Sequence, residues 1–181
     1  MKTILLSSFL MLSSIVFAQE FPINEKTGKV SYEGVVKVEG ASVTDLYIKA
    51  NEWFARTFNS ANNVIQMQDK EAGKIIGKGN ITAYGHFKNF ESGIWKFTVS
   101  FTAKEGRFRY VISDIYHETG GYDNVKGAGG DIKNEKPECG KWYLTKGQWN
   151  KIKARASTQF QDIAKDLEQS MTVTLNEDDD W

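Results

Sequence analysis

Residues 95–112 constrain the fold more than any other stretch. Trp95, Phe97, Val99, Phe101 and Ala103 alternate with Lys96, Thr98, Ser100, Thr102 and Lys104. Glu105-Gly106 interrupts the pattern, and Phe108, Tyr110 and Ile112 then alternate with Arg107, Arg109 and Ser113. Successive side chains of a strand point to opposite sides of its sheet, so a period of two with apolar residues on one side marks a half-buried strand. Two such runs around a Gly-containing turn predict a long antiparallel hairpin. One face of that hairpin has to be covered, and the rest of the chain has to supply the cover. Val111 and Ile115 depart from the polar side, so the outer surface is expected to be partly covered or to receive a partner.

The cover is legible as two amphipathic helices. Val43, Leu46, Tyr47, Ala50, Trp53, Phe54 and Phe58 recur at helical spacing over 43–58. Ser42 stands as N-cap, with Asp45 three residues on to complete a capping box. Near the other end, Trp149, Ile152, Ala156, Phe160, Ile163, Leu167 and Met171 recur every three or four residues. This predicts a second, longer helix on the same side of the sheet, giving two layers.

Further strands fill the interval. Val30, Tyr32, Val36 and Val38 share a side with Gly34, opposite Ser31, Glu33, Lys37 and Glu39, with Val35 as the exception. Val64–Asp69 and Lys74–Tyr84 read as a hairpin turned at Gly73. In the second of these, Ile75, Gly77, Gly79, Ile81 and Ala83 share one face, where small residues let a helix approach closely. GHFKNFESG reads as a connector, and 117–141 as a long glycine-rich loop without sustained period. The expected fold class is α+β, two-layer: an antiparallel five-stranded sheet with two helices on one face, in the order β-α-β-β-β-β-α. Its other face is expected to be solvated or used.

The ends of the chain bear on location. Residues 1–19 read MKTILLSSFLMLSSIVFAQ, with Lys2 before an apolar run and Val16-Phe17-Ala18 before Gln19. This is the pattern of a secretory signal peptide, and the run of about 14 residues is short of the roughly 20 that span a bilayer. The division expected is 1–18 as signal peptide, 19–175 as one domain, and 176–181 as an acidic tail, NEDDDW, whose adjacent acids repel one another. The location is exported, periplasmic or extracellular, with no transmembrane span in the mature protein. Cleavage leaves 163 residues, enough for one core. Basic and acidic residues number 23 each in the whole chain, and loss of Lys2 leaves a net charge of about −1. Such a chain lacks the electrostatic footprint of a nucleic-acid binder. Cys139 is the only cysteine, so no internal disulfide can form.

Motifs for chemistry are scarce. GKIIGKG lacks the GxxxxGK[ST] spacing of a phosphate loop, and no GxSxG occurs. Two distant histidines and a single cysteine give no zinc pattern, so no metal and no cofactor is expected. The candidates for catalysis are Asp114, Tyr116 and His117. Alternation puts Asp114 and Tyr116 on the face of Phe108, Tyr110 and Ile112, where a carboxylate needs a partner, and puts His117 on the other. The candidates for contact with a ligand or partner are Phe87, Phe90, Tyr122 and Trp142, aromatics beside turns.

PINEKTGKVSYEGVVKVEG, LYIKANEWFARTF and VIQMQDKEAGKIIGKG, covering much of residues 22–84, resemble a Bacteroidetes family of unknown function, the exported DUF4468-type domain. The resemblance implies a TBP-like fold. It brings no catalytic or binding residues with it, and fold alone does not carry function. The function expected is a non-enzymatic exported binding or interaction module for a cell-envelope protein, a glycan or a small apolar ligand. The alternative is an enzyme with an unfamiliar site near Asp114, Tyr116 and His117. A deep cleft joining these residues to the 117–141 loop would favour chemistry, and a flat surface would favour a macromolecule.

Overall fold

The structure is a computed structural model and describes residues 21–58, 64–85, 91–119, 129–138 and 144–172. The elements are β1 (Tyr32–Lys37), α1 (Val43–Thr57), β2 (Ile65–Asp69), β3 (Lys74–Tyr84), β4 (Glu91–Lys104), β5 (Arg107–Glu118), β6 (Gly129–Asp131) and α2 (Lys146–Thr172). All strand pairs are antiparallel, in the order β1-β5-β4-β3-β2, with β6 also on β5.

The β4–β5 hairpin is the spine of the sheet. It turns at Gly106, whose φ of 67° suits a residue without Cβ. β1 pairs along the first half of β5, from Lys37 opposite Arg107 to Tyr32 opposite Ile112. β6 pairs along the last part, Tyr116 to Glu118. The two therefore share one edge of β5. The five expected strands are present, and β6 is a sixth within the stretch read as loop. Three residues, two of them glycine, carry no alternation, so a strand this short leaves no pattern. Glu91–Gly93 also extend β4 into the stretch read as connector.

Both helices cover one face, as the apolar side of the hairpin demands. Trp95, Phe97, Val99 and Phe101 of β4 and Phe108 and Ile112 of β5 are buried there, against Trp53 and Phe54 of α1 and Trp149, Phe160 and Leu167 of α2. The glycines of β3 set how closely α1 approaches. A Cβ on Gly77 would come within 2.6 Å of the Phe54 ring, and one on Gly79 within 2.5 Å of the Phe58 ring. Each ring thus occupies the place of the missing side chain. Polar links fix the helix pair: the Trp53 indole donates to Asp166 at 2.6 Å, and Arg56 donates to Ser170 at 2.7 Å.

The start of α1 follows its sequence signal. The Asp45 amide donates to Ser42 Oγ at 3.1 Å, and the Ser42 amide donates to the Asp45 carboxylate at 3.2 Å. This satisfies two amides that a helix start otherwise leaves open. Ser42→Ala is expected to lower stability by about 1 kcal/mol. The shift in urea midpoint measures it, with an unchanged slope showing that the fold is kept.

Candidate functional site

The uncovered face of the sheet is the surface left free for work. The pairing register builds it in rows. At the β4–β5 turn, Lys37 of β1 lies opposite Arg107, and Arg107 opposite Lys104. The next row runs Val35, Arg109, Thr102, Lys74, and the next Glu33, Val111, Ser100, Ile76, Met67. Val35 is 65% exposed on this face although it is a strand valine. It is the exception noted in the alternation of the first strand. A groove of about 350 Å³ runs beside it, lined by Val35, Thr102, Lys104, Arg107 and Arg109.

Charge on this face is divided unevenly. Arg109 is paired with Glu33 at 2.8 Å, which holds the Glu33 carboxyl below its ordinary range. Lys96 is paired with Glu118 at 2.7 Å. Among the described residues, no ion pair joins Lys37, Lys104 or Arg107 to a carboxylate. Like charges directly opposite one another in a sheet disfavour the pairing, so this row costs stability that packing elsewhere has to supply.

The catalytic candidates are dispersed. Alternation is broken at a β-bulge: Lys96 pairs with Tyr116, but Thr98 pairs with Ser113. One extra residue therefore sits on β5, and Asp114 takes it up with φ of 54°. Aspartate tolerates this left-handed conformation better than most residues. The phase inverts beyond it. Ile115 and His117 turn to the helices and are buried, while Asp114 and Tyr116 turn outward. The expected faces of Asp114, Tyr116 and His117 are thus the reverse of those observed. Ile115, which looked like a break in the polar face, is a core residue.

Each of the three has its own surroundings. His117 is enclosed between Trp95 and Trp149, with ring centroids at 4.8 and 5.5 Å. The Tyr116 hydroxyl donates to Glu138 at 2.9 Å, and this carboxylate raises the phenol above its ordinary value. Asp114 accepts from Lys29 at 2.6 Å, which pulls its carboxyl below its ordinary value despite partial burial. A hollow of about 380 Å³ reaches Asp114, with Lys78, Asn80, Lys96 and Thr98 around it, but neither Tyr116 nor His117 lines it. A lowered carboxyl is charged at neutral pH and is unsuited to the part of a general acid.

The Asp114–Lys29 pair makes a pH prediction. The folded carboxyl titrates below the unfolded one, so the stability it gives is present above the unfolded value, near pH 4. It is lost as pH falls through the folded value. The effect is small, because both ends are about half exposed. A carboxyl-carbon NMR titration should place the Asp114 midpoint below that of a model aspartate, and Lys29→Ala should move it up.

Phe87, Phe90, Tyr122, Trp142 and Cys139 lie outside the described residues, as do the signal pattern and the acidic tail. The basic row was not found by sequence reasoning. Its members are ordinary polar positions of separate strands, and only the pairing of β1 with β5 brings them together. Among the described residues no three His, Cys, Asp or Glu side chains converge on a metal position, and no described helix is long and apolar enough to cross a membrane.

The order of strands and the two helices over one face can be set against known proteins. Residues 32–118 match the model of a domain of unknown function (DUF4468) with TBP-like fold. The resemblance read in the sequence therefore holds, and the matched span runs from the first residue of β1 to the last of β5. The structure is similar to that of a TBP-like protein from Parabacteroides distasonis ATCC 8503, with a TM-score of 0.65 and 15% identity over 83% of this chain and 96% of that one. It is also similar to a DUF4468 family protein from Bacteroides ovatus ATCC 8483, with a TM-score of 0.59 and 16% identity over 84% of this chain and 91% of that one. At such identities the likeness establishes the α+β, TBP-like fold alone. No curated protein matches the sequence.

Proposed function

We propose that the chain is an exported, non-enzymatic binding module that docks a cell-envelope protein on the uncovered face of its sheet. The observation that supports this most is the separation of Asp114 and Tyr116 from His117 by the sheet itself, while the uncovered face stays broad and open. A site for chemistry needs its groups within reach of one reacting atom. A docking face needs area, exposed apolar points and charge, and Val35, Met67 and the basic row offer these. The exported location rests on the signal pattern of residues 1–18.

The test is capture from envelope fractions by cross-linking, run with paired variants. Val35→Asp and Arg109→Glu should abolish capture, and Lys151→Glu, on the exposed side of α2, should leave it intact. Equal capture by all three sinks the reading, as does a purified chain that binds an envelope glycan and no protein. N-terminal sequencing of the exported chain should begin at Gln19.

A further inference from the structure

β1 is an edge strand, and its edge is unusually fit for pairing. Its register with β5 is unbroken over Tyr32–Lys37, whereas the register of β2, at the opposite edge, shifts between Ile65 and Met67. A bulge of that kind is one way in which sheets blunt an edge. No proline interrupts β1. We propose that β1 pairs antiparallel with β1 of a second copy of this chain, with Val35 opposite the partner's Val35 and Glu33 opposite the partner's Lys37. This goes beyond the docking reading and does not depend on it.

The backbone comes first. In an antiparallel strand the N–H and C=O of one residue point to the same side, and those of the next residue to the other. The Ser31 amide donates to the Pro22 carbonyl, on the side away from β5, and the Val38 amide donates to the Gly106 carbonyl at the end of the β4–β5 hairpin. Even residues therefore point to β5. Glu33, Val35 and Lys37 point their N–H and C=O groups to the free edge, and among the described residues no strand pairs with them there. α2 stands back from this edge. A groove of about 410 Å³ lies between the two, lined by Ser31, Glu33, Tyr110, Lys165 and Glu168 among others.

The side chains then select a register. A two-fold axis centred on Glu33 or on Lys37 sets that residue against itself, and like charges directly opposite disfavour pairing. Centred on Gly34, it brings the partner's Lys37 to Ser31, whose amide is already given to Pro22. Centred on Val36, it sets Glu33 against the partner's Glu39. Centred on Val35, it satisfies every position at once. The valine that is 65% exposed meets its own copy. Lys37, which faces Arg107 within its own chain and has no ion pair among the described residues, gains the carboxylate of the partner's Glu33. That carboxylate already holds Arg109 at 2.8 Å, so the ion pair grows into a network across the axis. On the helix side Gly34 meets the partner's Val36. The Tyr110 ring lies over Gly34, within 2.7 Å of where a Cβ would stand, and the partner's valine packs beside it. The same patch serves both copies, as a two-fold interface requires.

Sedimentation of the chain lacking residues 1–18 tests this. Monomer should give way to dimer between about 1 and 100 µM, the span suited to an interface of one short strand. Hydrogen exchange should slow with concentration at the amides of Glu33, Val35 and Lys37 and stay unchanged at Gly34 and Val36, which β5 already holds. Glu33→Lys and Lys37→Glu should each weaken association about tenfold, because each sets like charges opposite at both ends of the pair. An equal mixture of the two variants should associate again, since the two changes are complementary across the axis. Circular dichroism checks that each variant is folded. Val35→Cys with Cys139→Ser gives a reading that leaves the charges in place. Residues facing one another in a hydrogen-bonded antiparallel pair have Cα atoms about 5.5 Å apart, within disulfide reach, so mild oxidation should link two copies. A chain still monomeric at about 100 µM and not linked by oxidation overturns the proposal. A dimer indifferent to both charge changes overturns it too, as does a mixture of folded variants that stays monomeric. Edge amides protected only when an envelope protein is added overturn it in favour of strand addition by that protein. The docking function fails separately: a dimer that captures no envelope protein leaves this pairing standing, and capture by a monomeric chain leaves the docking face standing.

Discussion

Phe160→Ala is expected to remove about 4 kcal/mol of stability. The residue is fully buried in the middle of α2. Its ring lies 5.7 Å from that of Tyr32 on β1, 5.1 Å from Phe97 and 6.4 Å from Trp95 on β4. These contacts join α2 to two strands that are not neighbours in the sheet. Deleting the ring loses its transfer free energy and leaves a hole bounded by other rings, which cannot collapse without tilting against their own neighbours. Domains of this kind have only about 5–15 kcal/mol in all. The melting temperature should therefore fall by roughly 10 °C. Phe160→Leu keeps most of the apolar volume and should cost less than half as much, which separates cavity formation from a general intolerance of change. Equal losses for the two would mean that ring geometry, rather than filled volume, holds the layers together.

The layers were legible in the sequence because they rest on period. Alternation over residues 95–112 and helical spacing over 43–58 and 149–171 are long enough to survive single exceptions. The β3 glycines were legible too, since small residues on a buried face imply a close neighbour, and Phe54 and Phe58 are that neighbour. What failed was phase. One inserted residue at Asp114 exchanges inside and outside for all of β5 beyond it, and a local pattern cannot show where a bulge falls. Ile115 was the visible trace of the inversion: an apolar residue four places after Val111 and two after Ser113 should have faced solvent, and it does not. β6 failed for a different reason, being held by its pairing with Tyr116–Glu118 rather than by side-chain burial. The basic row is a property of register, and register between β1 and β5 spans more than seventy residues of chain.

Gly93→Ala is expected to cost about 3 kcal/mol or more, although alanine adds a single carbon. Gly93 has φ of 115°, in a region essentially closed to residues with a Cβ, and the backbone strain alone is worth roughly 1–3 kcal/mol. A Cβ there would also press into the Glu118 carbonyl oxygen and come within 2.7 Å of the Thr119 Cα. These are backbone atoms of the facing strand, so no side chain can swing aside. Relief would come from parting β4 and β5 near the Ile94–Glu118 pair, the place where Glu118 also holds Gly129 of β6. Gly28→Ala is the natural control. Gly28 has φ of 65° but nothing within 4 Å of a Cβ, so it should show the conformational cost alone, about 1 kcal/mol. Urea unfolding of the two variants gives the difference, which is the steric part at Gly93. Hydrogen exchange should then show early loss of protection at 116–118 and 129–131 in Gly93→Ala, while the amides of 99–103 and 108–112 keep theirs. Uniform loss across the sheet would instead mean that the β6 end opens only when the whole domain does.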